Sequence, residues 1–192
     1  RWHTGRTGRP VARRRDVDQT PLLPFRTGNG FDVHRFSDDP ARPLVLGGVH
    51  FDGEVGLVGH SDADVVAHGV AEALLGAAGL GDLGSHFPDT DERWRGADSI
   101  ELLTEVVRLV GAEGWSAVNV DCSVVAERPK LASRRQEMQD LLSGVVGAPV
   151  TIKGRRAEGI GGLGRAEGIA CLASALIERA TGVEGADGSG GT

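Results

Sequence analysis

The sequence predicts one domain in which helices are layered on a sheet, an α/β or α+β sandwich. Three observations carry this reading. Extended and helical segments alternate along the chain, an order that places strands and helices in layers around one core. Turn residues separate those segments at short intervals. The length, 192 residues with 40% hydrophobic and 25% charged residues, suits a single soluble domain with a substantial core.

Thr27 to His34 and Pro43 to Val49 have the composition of strands. The run GHSDADVVAHGVAEALLGAAG supplies the first helix, with Ser61 and Asp64 spaced like a capping box and Gly76 and Gly79 near its end. Asp98 with Glu101 opens a second helix that stops at Gly111 or Gly114. Val118 to Ala126 alternates as a strand and is ended by Pro129. Ser133 with Gln136 is expected to cap a third helix reaching Val146, and Val150 to Lys153 is a short strand. Gly168 to Arg179 stays open between strand and helix: Ile169, Cys171, Ala173, Ala175 and Ile177 fit a period of two, while Leu172 and Leu176 fit a helix.

Charge divides the chain. Residues 1–26 hold seven arginines against Asp16 and Asp18, a net +5, which leaves −11 for the rest of a chain whose total is −6. Residues 1–26 therefore read as a disordered Arg-rich tail or linker remnant, in keeping with a first residue other than Met, residues 27–181 as the folded domain, and residues 182–192 as a flexible tail. No aromatic interleaving or basic face follows in the body, so nucleic acid is not an expected partner. No apolar run approaches the roughly 20 residues of a membrane span, and the first residues lack a signal-peptide pattern. The expectation is a cytoplasmic protein without membrane contact, its Cys122 and Cys171 both buried thiols.

The stretch GNGFDVHRF holds the first chemical clue. On a strand, Asp32 and His34 point to the same face. On the first helix, Asp64, His68 and Glu72 recur every four residues as a polar stripe beside an apolar one. Asp32, His34 and His68 together would form a two-histidine, one-carboxylate set with a fourth position open, as in a catalytic zinc site. Asp64 or Glu72 would then accept the other N–H of His68. On spacing alone the alternative stands beside it, with His68 a satisfied surface histidine and Asp32 a turn residue.

The ordered succession GFDVH, LGG, GHSDADVVAH, ALLGAAGLGDLGSHFPDTD, GADS, NVDCSVVAERPKL and GRAEGIA, from Gly30 to Ala170, closely resembles the 2-C-methyl-D-erythritol 2,4-cyclodiphosphate synthase family. The resemblance implies a mixed four-stranded sheet with helices on one face, the last segment a strand, in a homotrimer with active sites between subunits. It implies a metal-dependent cyclising phosphorus–oxygen lyase of the non-mevalonate isoprenoid route. The substrate would be 4-diphosphocytidyl-2-C-methyl-D-erythritol 2-phosphate, and the products the cyclic diphosphate and CMP. Asp32, His34 and His68 would hold Zn²⁺, and Glu158 a second divalent cation, Mg²⁺ or Mn²⁺. His60 and Arg156 would take catalytic roles, with Ser61 beside His60 on a phosphate. Asp82 and Gly84 correspond to the ribose segment, and Phe87, Asp89 and Asp91 to the methylerythritol loop. Ala126, Pro129, Lys130 and Leu131 correspond to the cytidine pocket. A cytidylyltransferase domain, fused upstream or associated, is a partner the resemblance allows.

The chain also departs from the family pattern. Arg155, Arg156 and Ala157 stand where a run of threonines is usual, so guanidinium groups replace two hydroxyl donors at the phosphates. Gly162 occupies a position where an aromatic is common, Ala166 one where Gly is usual, and Glu72 one where Asp is usual. Two other functions fit the same residues. One is a zinc-dependent phosphohydrolase, in which water takes the open metal position. The other is a non-catalytic trimer that binds isoprenoid phosphates through Arg165 at its centre.

Overall fold

A computed structural model describes residues 24–180. Of the tail expected at 1–26, residues 1–23 lie outside the described residues, as does the tail expected at 182–192; Phe25 and Arg26 belong instead to the first strand. The main sheet has four strands: β1 (Phe25–Arg35), β4 (Trp115–Val125), β5 (Val150–Arg155) and β6 (Gly168–Arg179). Their spatial order is β1-β6-β4-β5. β6 runs antiparallel to both neighbours and β4 parallel to β5, so the sheet is mixed. A separate antiparallel hairpin joins β2 (Pro43–Leu46) to β3 (Val49–Val55). The helices are α1 (Val65–Ala78), the one-turn α2 (Leu83–His86), α3 (Ser99–Ala112), α4 (Arg135–Val146) and the one-turn α5 (Gly161–Gly164).

The ambiguous last segment is a strand, as the period of two allows. Along β6 the side chains of Ile169, Cys171, Ala173, Ala175 and Ile177 are buried, while Leu172 and Ser174 face outward. Leu172 lies opposite Phe31 of β1, and with Val33 these apolar side chains remain exposed on the sheet's open face. The helices cover the other face. Cys122 and Cys171 are free and buried as expected, and contact with Cys122 together with burial pushes the Cys171 thiol up.

Two glycines set how closely α1 lies on β1. A Cβ at Gly28 would fall 2.1 Å from the Ala73 carbonyl oxygen, and one at Gly30 would fall 2.0 Å from that of Gly69. The GNG that opens the chemical motif is thus a bed for the helix, and close contact brings the later strand residues beside His68.

Several local expectations are corrected. β1 begins at Phe25, two residues before the expected Thr27, and β3 is a strand that was not foreseen. The cap of α1 is Asp64 itself, not Ser61, and its carboxylate accepts from Val66 and Ala67 N–H. Asp98 caps α3 as expected, through Ile100 N–H. Ser133 does not cap α4: the preceding residue is Arg134, which makes no capping bond, and Gln136 bonds Asp140 along the helix.

Candidate active site

Asp32 and His34 project from the α1 side of β1, and His68 from the one stripe of α1 that is not sealed. Asp32 Oδ2 lies 3.0 Å from His34 Nε2 and 2.9 Å from His68 Nδ1. One ligand atom from each of the three residues lies within 4.8 Å of the other two. Burial alone would raise the Asp32 pKa, but hydrogen bonds to both histidines and their charges hold the carboxyl well below the usual range. Burial likewise disfavours charge on His34, yet the hydrogen bond and charge of Asp32 outweigh it and raise its pKa.

The outer nitrogens of the two rings are already engaged. His34 Nδ1 donates to the Val58 carbonyl at 2.6 Å, and a carbonyl can only accept, so the neutral ring, the form that ligates a metal, has its lone pair on Nε2, while the hydrogen bond to Asp32 forms with Nε2 protonated as well. His68 Nε2 meets Ser99 Oγ at 2.9 Å. Ser99 Oγ in turn donates to Asp62, whose other oxygen accepts the Ser99 N–H at 3.1 Å. Since a carboxylate only accepts, the Ser99 hydroxyl proton goes to Asp62 and its oxygen receives the His68 Nε2 proton, so the neutral ring has its lone pair on Nδ1. With both rings neutral, two imidazole nitrogens and a carboxylate oxygen turn lone pairs inward, the donor set of a divalent metal site.

The relay corrects one expectation. Neither Asp64 nor Glu72 accepts from His68. Asp64 is fully buried and takes N–H bonds from Gly47 at 2.8 Å and Gly48 at 2.6 Å as well as from the helix start. Its burial outweighs those bonds and raises its pKa. Glu72 accepts the Leu83 N–H at 2.9 Å. Asp62 and Ser99 hold the role instead, and no spacing rule connects residues 37 positions apart.

A cavity of about 390 Å³ opens beside the cluster, lined by Asp32, His34, His60, Ser61, His68, Glu72, Gly84, Phe87 and Asp89. Trp94 lines it too, edge-on to Phe87 with ring centroids 5.0 Å apart, and its Nε1 is buried without a partner among the described residues. Asp82 caps α2 by accepting the Ser85 N–H, and Asp91 pairs with Arg93 at 2.6 Å; neither lines the cavity.

A second cavity, of about 220 Å³, holds Ala126, Pro129, Lys130, Leu131, Arg155 and Arg156, joined by Glu127 and Arg135. Arg156 Nε is 4.0 Å from Glu127 Oε2, a loose contact, and the only hydrogen bond Arg155 donates through its side chain among the described residues is to the adjacent Gly154 carbonyl. The two cavities share no residue. Their strands, β1 and β5, are opposite edges of the sheet, roughly 14 Å apart at ordinary strand spacing. Glu158, exposed with φ 51°, and Arg165, paired with Glu167 at 2.7 Å, line neither cavity.

Comparison with known proteins places this architecture. The model of the YgbB family matches residues 25–178. The 2-C-methyl-D-erythritol 2,4-cyclodiphosphate synthase of Rubrobacter xylanophilus is 55% identical over 163 residues, covering 82% of this chain and 98% of its own length. The bifunctional enzyme IspD/IspF of Anaeromyxobacter dehalogenans is 52% identical over 162 residues, which are 83% of this chain, and the chain spans 41% of that relative's length. The Plasmodium falciparum IspF structure in complex with CDP superposes with a TM-score of 0.71 at 29% identity, over 82% of this chain and 97% of the other. By the family match, by identity over nearly the whole of a curated relative and by the mixed sheet it shares with solved members, the chain belongs to the YgbB family, that of the 2-C-methyl-D-erythritol 2,4-cyclodiphosphate synthases.

Proposed function

We propose that the chain cyclises 4-diphosphocytidyl-2-C-methyl-D-erythritol 2-phosphate to 2-C-methyl-D-erythritol 2,4-cyclodiphosphate with release of CMP. The observation that carries this reading is the Asp32–His34–His68 cluster, a group that could hold a metal ion, lining a cavity of about 390 Å³. In the reaction an oxygen of the 2-phosphate attacks the β-phosphorus, the bond from that phosphorus to the bridging oxygen breaks, and the bridging oxygen leaves on CMP. The attacking group belongs to the substrate, so the protein's part is to position two anions and offset their repulsion.

His60 and Ser61 hold the phosphate beside the cluster. Phe87 and Trp94 wall the cavity against water, and Asp89 meets the methylerythritol hydroxyls. Zinc suits the two-imidazole, one-carboxylate set, and would supply Lewis acidity to a phosphate oxygen. Glu158 offers a hard oxygen ligand for Mg²⁺ or Mn²⁺, with the diphosphate completing the shell. Lys130, Leu131 and their neighbours receive the cytidine, with Arg155 and Arg156 toward its phosphates.

The working unit is a homotrimer. Metal and nucleotide cavities on opposite sheet edges become one site when the edge of one subunit meets that of the next, which also covers Phe31, Val33 and Leu172. The identity to a bifunctional relative supports a fused cytidylyltransferase segment upstream, and no helix among the described residues is long and apolar enough to cross a membrane, in keeping with a cytoplasmic enzyme. The decisive experiment is product analysis with zinc and Mg²⁺ present. Equimolar CMP and cyclic diphosphate are expected; linear hydrolysis products would mean a phosphohydrolase.

A further inference from the structure

Five successive carbonyls, Leu57 to Ser61, form the loop between the hairpin and the approach to α1, and none is left to solvent chance. Val58 O accepts from His34 Nδ1 at 2.6 Å, and His60 O accepts the Gly96 N–H at 2.8 Å. The other three all go to one side chain. Arg42 donates through Nε to Leu57 O and through one terminal nitrogen to Gly59 O at 3.2 Å and Ser61 O at 2.6 Å. Its backbone carbonyl also takes the Gly56 N–H at 2.8 Å, so the same residue grips the start of the loop. The approach there is close enough that a Cβ at Gly56 would lie 2.1 Å from the Pro43 carbonyl oxygen.

The geometry points to Arg42 as a positioning residue for the metal and phosphate site, acting through this loop. Odd-numbered carbonyls turn toward the guanidinium, which leaves the Val58 carbonyl between them turned the opposite way, onto His34. If the guanidinium is lost, three carbonyls lose their donor and the loop can rotate. The Val58 bond that orients the His34 ring, and the His60 and Ser61 side chains carried on the same loop, then lose their setting. A lysine offers a point charge where a rigid fork is needed, and it cannot span three acceptors in that arrangement. The inference rests on the metal reading of Asp32, His34 and His68, and assigns to that site the element that holds it in shape.

Cobalt(II) is the probe, titrated into metal-stripped protein against a chelator, with the d–d absorption recording ligand geometry. Arg42→Met keeps the aliphatic stem, and its affinity should fall by about tenfold to a hundredfold, the usual effect of removing a partner that orients a ligand, with a changed spectrum. Arg42→Lys should recover only part of the loss, and methylguanidinium added to Arg42→Ala should recover more. Val146→Ala, a core change at the end of α4 away from the loop and the cluster, separates positioning from general stability: it should bind cobalt as the parent does. Parental affinity and spectrum in Arg42→Met would overturn the inference and leave the metal reading intact. So would an equal loss in Val146→Ala. Should Arg42→Met not fold, parental binding by Arg42→Lys overturns it as well. A parent chain that binds no cobalt would bring down the metal reading itself, and this inference with it.

Discussion

Ser99 carries no charge and lies 31 positions from His68, yet it decides which nitrogen of that histidine faces Asp32. The distinction between ligand and relay predicts two different losses. His68→Ala removes a donor and should abolish most metal binding. Ser99→Ala leaves all three donors in place but frees the ring to turn or to change tautomer, so metal should still bind, about tenfold to a hundredfold more weakly. Metal analysis after gel filtration, with chelator competition, reads both; equal metal content in His68→Ala and the parent would refute the ligand assignment. Arg155 and Arg156 make a second case. On the proposed reading, two guanidinium groups at the phosphates would supply charge that hydroxyls do not, and such groups are worth several kcal/mol in transition-state stabilisation. Changing both to Thr should raise the Mg²⁺ requirement for CMP release and leave metal at the Asp32 cluster unaltered. If the double variant is faster at every Mg²⁺ concentration, the arginines obstruct the site.

At the scale of elements, the site depends on how tightly α1 lies on β1 and on how its first turn is held. Gly30→Ala would drive a methyl into the Gly69 carbonyl region, and overpacking of that kind costs about 3 kcal/mol. Because the displacement falls between the two ligand-bearing elements, metal affinity should drop along with the melting temperature. Asp64→Ala strands the Gly47 and Gly48 N–H groups and the first N–H groups of α1. A lost cap and unpaired buried donors amount to roughly 3 kcal/mol or more, visible as a lower midpoint in urea. The Asp32–His34–His68 group was legible in the sequence because its geometry is local: a period of two on a strand, and one stripe on a helix. The relay was not, because Asp62 and Ser99 meet only after α3 has packed beside α1. Asp64 was misread for a related reason. Its spacing to His68 is that of a helix neighbour, but a capping residue turns its side chain back onto the helix end, and here onto the hairpin turn as well. The strand β3 escaped notice because its sequence, VHFDGEV, mixes acidic residues and glycine with few β-formers.

For the whole molecule, the alternating segments foretold the layered sandwich, and the family resemblance supplied the mixed four-stranded sheet and the strand at its last segment, which pattern alone left open. Assembly is the level at which one chain's geometry asks for a partner. The exposed Phe31, Val33 and Leu172 on the open sheet face, and the separation of the two cavities, predict a trimer in sedimentation at micromolar concentration. A fully active monomer would refute it.

The placement of β1 and β5 on opposite edges of the sheet also has a genetic meaning. If each working site draws its metal half from one subunit and its nucleotide half from another, then two inactive alleles damaged in different halves are not equivalent to one inactive allele. Chains carrying His68→Ala and chains damaged in the Lys130 and Leu131 loop should each be dead alone. Co-expressed in equal amounts, they should assemble mixed trimers in which about a quarter of the sites unite two intact halves, restoring growth to a cell that depends on the enzyme. Complementation between such alleles, and its absence between two alleles of the same half, would map the division of labour across the subunit boundary without a single binding measurement.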